Sequence, residues 1–173
     1  MKPTSKLLAV FFLACTFVSC SGESFESDLL DGKSSTAKNS NWTDTAYDYS
    51  SAESATLQLV NDYRVSVGLS ELQKANYIST VSQKHNAYMI IQQHISHDDF
   101  VSRSNDIIKK LGAIKVGENL AYNYKTPEAA LKAWLNSPDH KINVEGDYTH
   151  FGISITVDSE TGKTYYTNIF AKI

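Results

Sequence analysis

Two spacings of apolar residues divide the chain. From Ser54 onward they recur every three or four positions, the period of a helix. In "SAESATLQLVNDYRVSVGL" this puts Leu57, Val60 and Tyr63 or Arg64 on one face, with Gly68 as the stop. The long stretch "ELQKANYISTVSQKHNAYMIIQQHIS" carries a stripe of Ile78, Val81, Ala87 or Tyr88, and Ile91. "VSRSNDIIKKLGA" reads as a shorter helix closed by Gly112. "TPEAALKAWLNSPDH" has Thr126 as N-cap, Pro127 at the first helical position and Glu128 at the positive helix end, and Pro138 stops it.

The tail changes period. "THFGISITVD" alternates, with Phe151, Ile153, Ile155 and Val157 on one side; "SETGK" is a turn; "TYYTNIFAKI" alternates again. This predicts a β-hairpin. Helices first and an antiparallel hairpin last make the class α+β, with helices covering a small sheet. Between the helices, "VGENLAY" reads as a connection or very short strand, with Val116 and Leu120 toward the core.

The first residues follow another logic. Lys2 and Lys6 precede an apolar run over residues 7–18, too short to span a bilayer and suited to a signal-peptide core. "SCSG" then closes the run as a lipobox would, making Cys20 the lipidated mature N-terminus; Cys15, after Ala14, is the second choice. The alternative is an ordinary secretory signal and release from the cell. Residues 1–19 are thus read as a lipoprotein-type signal peptide. Residues 20–53, rich in Ser, Asp, Asn and Thr, are read as a tether whose end Trp42 or Tyr47 docks, and 54–173 as the folded domain. The expected location is the cell envelope, in the outer or the cytoplasmic membrane leaflet.

Composition narrows the function. With 42% hydrophobic residues, 20% charged and a net charge of −3, the chain has enough apolar material for a core and no basic patch for nucleic acid. Both cysteines lie in or at the signal, so packing alone holds the domain.

Five histidines supply the candidate chemistry. His85 reads as structural or surface, and His150, at a strand start, as surface. His94 and His97 are three apart, but "SHDDF" resembles a helix exit that separates them. His140 follows a Ser-Pro turn and is expected in a loop. Glu118 sits between apolar neighbours, where an unpaired buried carboxylate is costly. His97 and His140 are its expected partners, and two imidazoles with a carboxylate are a donor set for a divalent cation such as Zn2+.

The order "LVNDYRVSVGLSEL", "SHDDF", "GENLAY", "AWLNSPDHKIN", "THFGISI" resembles the CAP superfamily of cysteine-rich secretory, antigen 5 and pathogenesis-related proteins, most of all its bacterial SCP-domain branch. The resemblance covers residues 54–173. It implies an α-β-α sandwich, a three- or four-stranded antiparallel sheet between helical layers. It also implies a cleft lined by His97, His140 and Glu118, with Asn119 fixing the loop and Asn61, Arg64, Trp134 and Asn143 structural. The second acid of eukaryotic members has no counterpart, since Asn136 or Ser137 stands near its place. Members bind zinc or similar ions through the paired histidines.

No Gly-x-Ser-x-Gly elbow and no His-Glu-x-x-His helix is present. The expectation is therefore a binding module for a lipid, glycan or envelope protein, with Tyr122, Tyr124 and Tyr148 at the cleft rim. The enzymatic alternative is a zinc-dependent, peptidase-like hydrolase using Glu118 as general base, with His97 and His140 beside it.

Overall fold

A computed structural model describes residues 45–173. The signal, lipidation and Trp42 readings lie outside the described residues.

Helix α1 (Ser51–Ser66) begins inside the segment read as tether. Ser50 caps it, and Glu53 three residues on returns the bond to the Ser50 N–H, forming a capping box. The buried Glu53 carboxylate also accepts from the Tyr47 hydroxyl and the Ile155 N–H, both at 2.8 Å. That ties the chain entering α1 to the sheet.

A two-residue strand β1 (Gln73–Lys74) leads into α2 (Asn76–Gln92) and α3 (Phe100–Leu111). The buried stripe of α2 differs from the expected one: Ile78, Val81, His85 and Met89 are buried, with Ser79, Ser82 and Asn86 among them, while Ile91 is 77% exposed. Polar residues enter this stripe because α2 lies directly on the sheet and bonds to it. The Asn86 amide donates to the Ser154 and Tyr165 carbonyls, and the Ser79 hydroxyl accepts from the Ile153 N–H. Contact is so close that a Cβ at Gly152 would lie 2.4 Å from the Ser79 nitrogen.

"KVGENLAY" forms the full strand β2 (Lys115–Tyr122), longer than the connection or short strand expected. Helix α4 (Pro127–Asn136) starts as predicted, with Thr126 accepting from the Ala129 N–H. Pro138 ends α4 but also opens a further helix, α5 (Pro138–Val144), so His140 is helical and not in a loop. Proline suits a first helical position because its missing N–H would go unused there. The predicted hairpin is β3 (His150–Val157) and β4 (Thr164–Lys172). His150 starts a strand but is buried at 7% exposure, not on the surface.

The sheet order is β1-β3-β4-β2; β2, β3 and β4 are antiparallel, and β1 joins β3 in parallel. On one face α2 and α3 bury Ile78, Val81, Ile107, Leu111 and Ile169. On the other, α1, α4 and α5 enclose Val60, Trp134, Val144, Phe151 and Phe170. This is the α-β-α sandwich. Strand β2 forms one sheet edge, and side chains of the second layer cap its open carbonyls. Trp134 Nε1 donates to the Leu120 carbonyl at 2.8 Å, and Asn143 Nδ2 to that of Glu118 at 3.2 Å. An edge closed this way offers little to a foreign strand.

Candidate functional site

Alternation along β2 sends its successive motif residues to opposite layers. Glu118 pairs in register with Ile169 and faces α2 and α3; Asn119 pairs with Asn168 and faces α5. The site therefore straddles the sheet edge. His97 reaches Glu118 from the α2–α3 loop, and α5 meets Asn119 through the His140 carbonyl.

Glu118 answers its burial problem with a partner absent from the sequence reading. Arg103 on α3 meets it with two parallel bonds, Nε to Oε2 and Nη2 to Oε1, both 2.9 Å. The Glu118 side chain is 1% exposed and the Arg103 side chain 12%. His97 Nδ1 completes the shell at 2.8 Å from Oε1. Burial alone would push the Glu118 carboxyl up; the His97 bond and the Arg103 bonds and charge together hold it below the ordinary carboxylate range. Arg103 also donates from Nη1 to the Asp98 carbonyl at 2.5 Å, which fixes the loop carrying His97. A signal for Arg103 did exist. The chain has only two arginines, and the other, Arg64, is equally structural, donating to the carbonyls of Ser70, Val144 and Gly146. A planar fork is needed where several acceptors must be met at once.

His85 is buried beneath this pair. Its Nε2 donates to the Ser96 carbonyl at 2.8 Å, so the neighbouring Arg103 Nη2 at 3.3 Å is a close approach and not a second bond. Burial, then the Arg103 charge, lowers its pKa and keeps the ring neutral. Of the two histidine readings, structural fits and surface does not.

On the other side of β2, the Asn119 amide donates to the His140 carbonyl at 2.9 Å and accepts from Asn143 at 2.9 Å. That fixes the backbone of α5. His140 is half-buried, and burial lowers its pKa. Gly117 is required by the same packing, since a Cβ there would lie 2.5 Å from Tyr148 Oη and 2.7 Å from Asn143 Oδ1.

The rim tyrosines fall in different settings. Tyr148 is 6% exposed and packs on Phe170; Tyr122 is half-buried edge-on against Tyr165; Tyr124 is half-buried, its carbonyl accepting from the Tyr166 hydroxyl. Lys115 Nζ lies 4.4 Å from the centre of the Tyr148 ring. His94 is exposed beyond the end of α2.

Glu118 does not fit as a metal ligand. Arg103 occupies both its oxygens and brings a positive charge where an ion would have to sit. Among the described residues no cluster of three or more His, Cys, Asp or Glu is placed to hold an ion. What Glu118 does is orient His97. With Nδ1–H directed at the carboxylate, Nε2 is the remaining nitrogen of a ring whose side chain is 53% exposed.

Comparison with known proteins agrees with this architecture. Residues 57–170 match the model of the cysteine-rich secretory protein (CAP) family. The chain is 32% identical over 134 residues to the uncharacterized membrane protein YlbC of Bacillus subtilis, covering 70% of this chain and 34% of that one. It is 32% identical over 123 residues to the uncharacterized protein YkwD of the same organism, covering 68% and 48%. It thus spans less than half the length of these relatives. Among solved structures, an outer surface protein of Borrelia burgdorferi superposes with a TM-score of 0.65 at 19% identity, over 73% of this chain and 96% of that one. An extracellular SCP-domain protein of Bacillus anthracis superposes with a TM-score of 0.62 at 25% identity, over 70% and 40%. The chain belongs to the CAP family.

Proposed function

We propose that this CAP-domain protein is exported, anchored in the cell envelope through a lipid on Cys20, and binds a lipid, glycan or envelope-protein ligand at the sheet-edge cleft between His97 and His140. The Glu118–Arg103 pair carries this reading. A carboxylate whose two oxygens already accept charge-assisted bonds, and whose pKa is held down, has little capacity to take a proton from water. Its work is to hold His97 half-exposed and correctly turned, which suits recognition. Zinc or another divalent cation belongs to this proposal only as an occupant of the two imidazoles. The names of relatives, a membrane protein, an extracellular protein and an outer surface protein, support a location outside the cytoplasm. No helix among the described residues is long and apolar enough to cross a membrane.

The test is native mass spectrometry of the full chain purified from its own envelope. The expected result is an acylated N-terminus, lost in Cys20→Ala, and a retained ligand, lost in His97→Ala or His140→Ala with the fold intact. Turnover of a peptide or ester library that disappears in Glu118→Gln would overturn the binding reading in favour of hydrolysis.

A further inference from the structure

Helices α2 and α3 face each other along matched stripes. On α2 the stripe is Val81, Lys84, His85 and Tyr88; on α3, counted from its N-cap, it is Asp99, Ser102, Arg103 and Asp106. Both follow the i, i+3, i+4, i+7 spacing by which one helix buries itself against another. Such stripes are ordinarily apolar and closed. Here seven of the eight residues are polar or aromatic, and the helices leave a cavity of about 350 Å³ between them. It shares Arg103 with the cleft, but its lining does not include His97, Glu118 or His140.

The charges within it are informative. Arg103 is neutralised by Glu118. Lys84 and Asp99 form no ion pair among the described residues, and Asp106 accepts only the Tyr77 hydroxyl. One cation on the α2 wall and two carboxylates on the α3 wall thus share one groove, without ion pairs to each other. Val81 and the Tyr88 ring are too short an apolar wall to cover a fatty chain, and a phosphate meets two carboxylates. A dipolar molecule matches both walls, its anionic end at Lys84 on α2 and its ammonium at Asp99 or Asp106 on α3. The Tyr88 ring is held in place by stacking on His85 (centroids 5.9 Å apart, 14° between planes) and by its hydroxyl bond to Asp98, and it offers an apolar wall. The volume lies at the low end for small-molecule sites, about 300–1,000 Å³, which limits the occupant to roughly an amino acid or dipeptide.

We propose that the α2–α3 groove is a second binding site, for a small zwitterion of the amino-acid or dipeptide class. The proposal rests on this groove alone, and failure of the cleft reading leaves it untouched.

The test uses the full, 15N-labelled chain in a polyoxyethylene-ether detergent, titrated with three probes: L-alanyl-L-alanine, its N-acetylated form without the ammonium, and its C-terminal amide without the carboxylate. The expected result is saturable amide shifts confined to residues 81–88 and 99–106 with the dipeptide, and at least tenfold weaker binding of both capped forms. Lys84→Met should weaken the dipeptide tenfold while leaving the amide form unchanged. Ser102→Trp, at an exposed position, should fill the groove and abolish binding with the spectrum otherwise preserved. His97→Ala and His140→Ala should leave binding intact. Equal binding of the capped forms, shifts centred on His97 and His140, or no saturable shift with any probe would each overturn the proposal.

Discussion

Arg103 closes on Glu118 through two parallel 2.9 Å bonds, joining a helix of one layer to the edge strand of the sheet. Glu118 is almost wholly removed from water, and its compensation comes from this one guanidinium and one imidazole. Arg103→Ala should therefore destabilise the protein by about 3 kcal/mol, the lower end for a broken buried pair because Arg103 retains some solvent contact. Arg103→Lys should recover only part, since an ammonium cannot meet both oxygens in the plane of the carboxylate. Replacing both partners, Arg103→Met with Glu118→Gln, should restore most of the loss. Denaturant midpoints of the four proteins check this; an unchanged midpoint in Arg103→Ala would show that the pair is solvated.

Stability should fall with acid in two stages. His85, His140 and His150 all have pKa values lowered by burial. The unfolded chain binds their protons first, so stability is full above the unfolded value of about 6.5 and declines as pH falls through it. Glu118 is held below its ordinary value by His97 and Arg103, and Asp158 is held down to about 2 by Thr161, Gln93 and the Glu160 N–H. Their contribution is present above the unfolded carboxylate value of about 4 and is lost below it. Thermal melts from pH 8 to pH 2 read both stages. His85→Gln should shrink the upper one and Glu118→Gln the lower; a single transition insensitive to both variants contradicts this assignment.

Gly117→Ala tests the packing of the motif from the other side of β2. The added methyl meets Tyr148 Oη at 2.5 Å and Asn143 Oδ1 at 2.7 Å. Overpacking of this kind costs about 1–3 kcal/mol. Tyr148→Phe in the same chain removes the nearer atom and should recover part of it. Equal stability of Gly117→Ala and the parent, by denaturation, would mean that these two side chains are free to move aside.

How much of this was legible in the sequence depends on which signals are local. The hairpin and the start of α4 were readable because alternation and the Thr126-Pro127 pair act within a few residues. Helix α5 was hidden because one residue, Pro138, both stops a helix and starts one. Strand β2 lacked an apolar run because Glu118 and Asn119 take their partners from opposite layers, and a polar pair mid-strand looks like a loop. The buried polar face of α2 was misread for a related reason: Ser79, Ser82 and Asn86 are core residues only because sheet carbonyls and N–H groups lie within reach of that helix. For Arg103 the scarcity of arginine was the one signal, and nothing nearby in the chain announces its carboxylate fifteen residues away.

Two asparagines in direct register across β2 and β4 allow a sharper test. Asn119 uses both ends of its amide, donating to the His140 carbonyl and accepting from Asn143. Asn168 faces the same layer and is fully buried, yet among the described residues neither its Nδ2 nor its Oδ1 has a hydrogen-bond partner. A buried amide without partners costs free energy, whereas an apolar side chain of similar shape does not. Asn168→Leu should therefore be neutral or stabilising by about 1 kcal/mol. Asn119→Leu strands the His140 carbonyl and the Asn143 amide, and should cost about 2 kcal/mol while loosening α5. Hydrogen exchange separates the two: amides of residues 138–146 should exchange faster in Asn119→Leu and unchanged in Asn168→Leu. Equal destabilisation by both substitutions would mean that Asn168 has a partner as firm as those of Asn119.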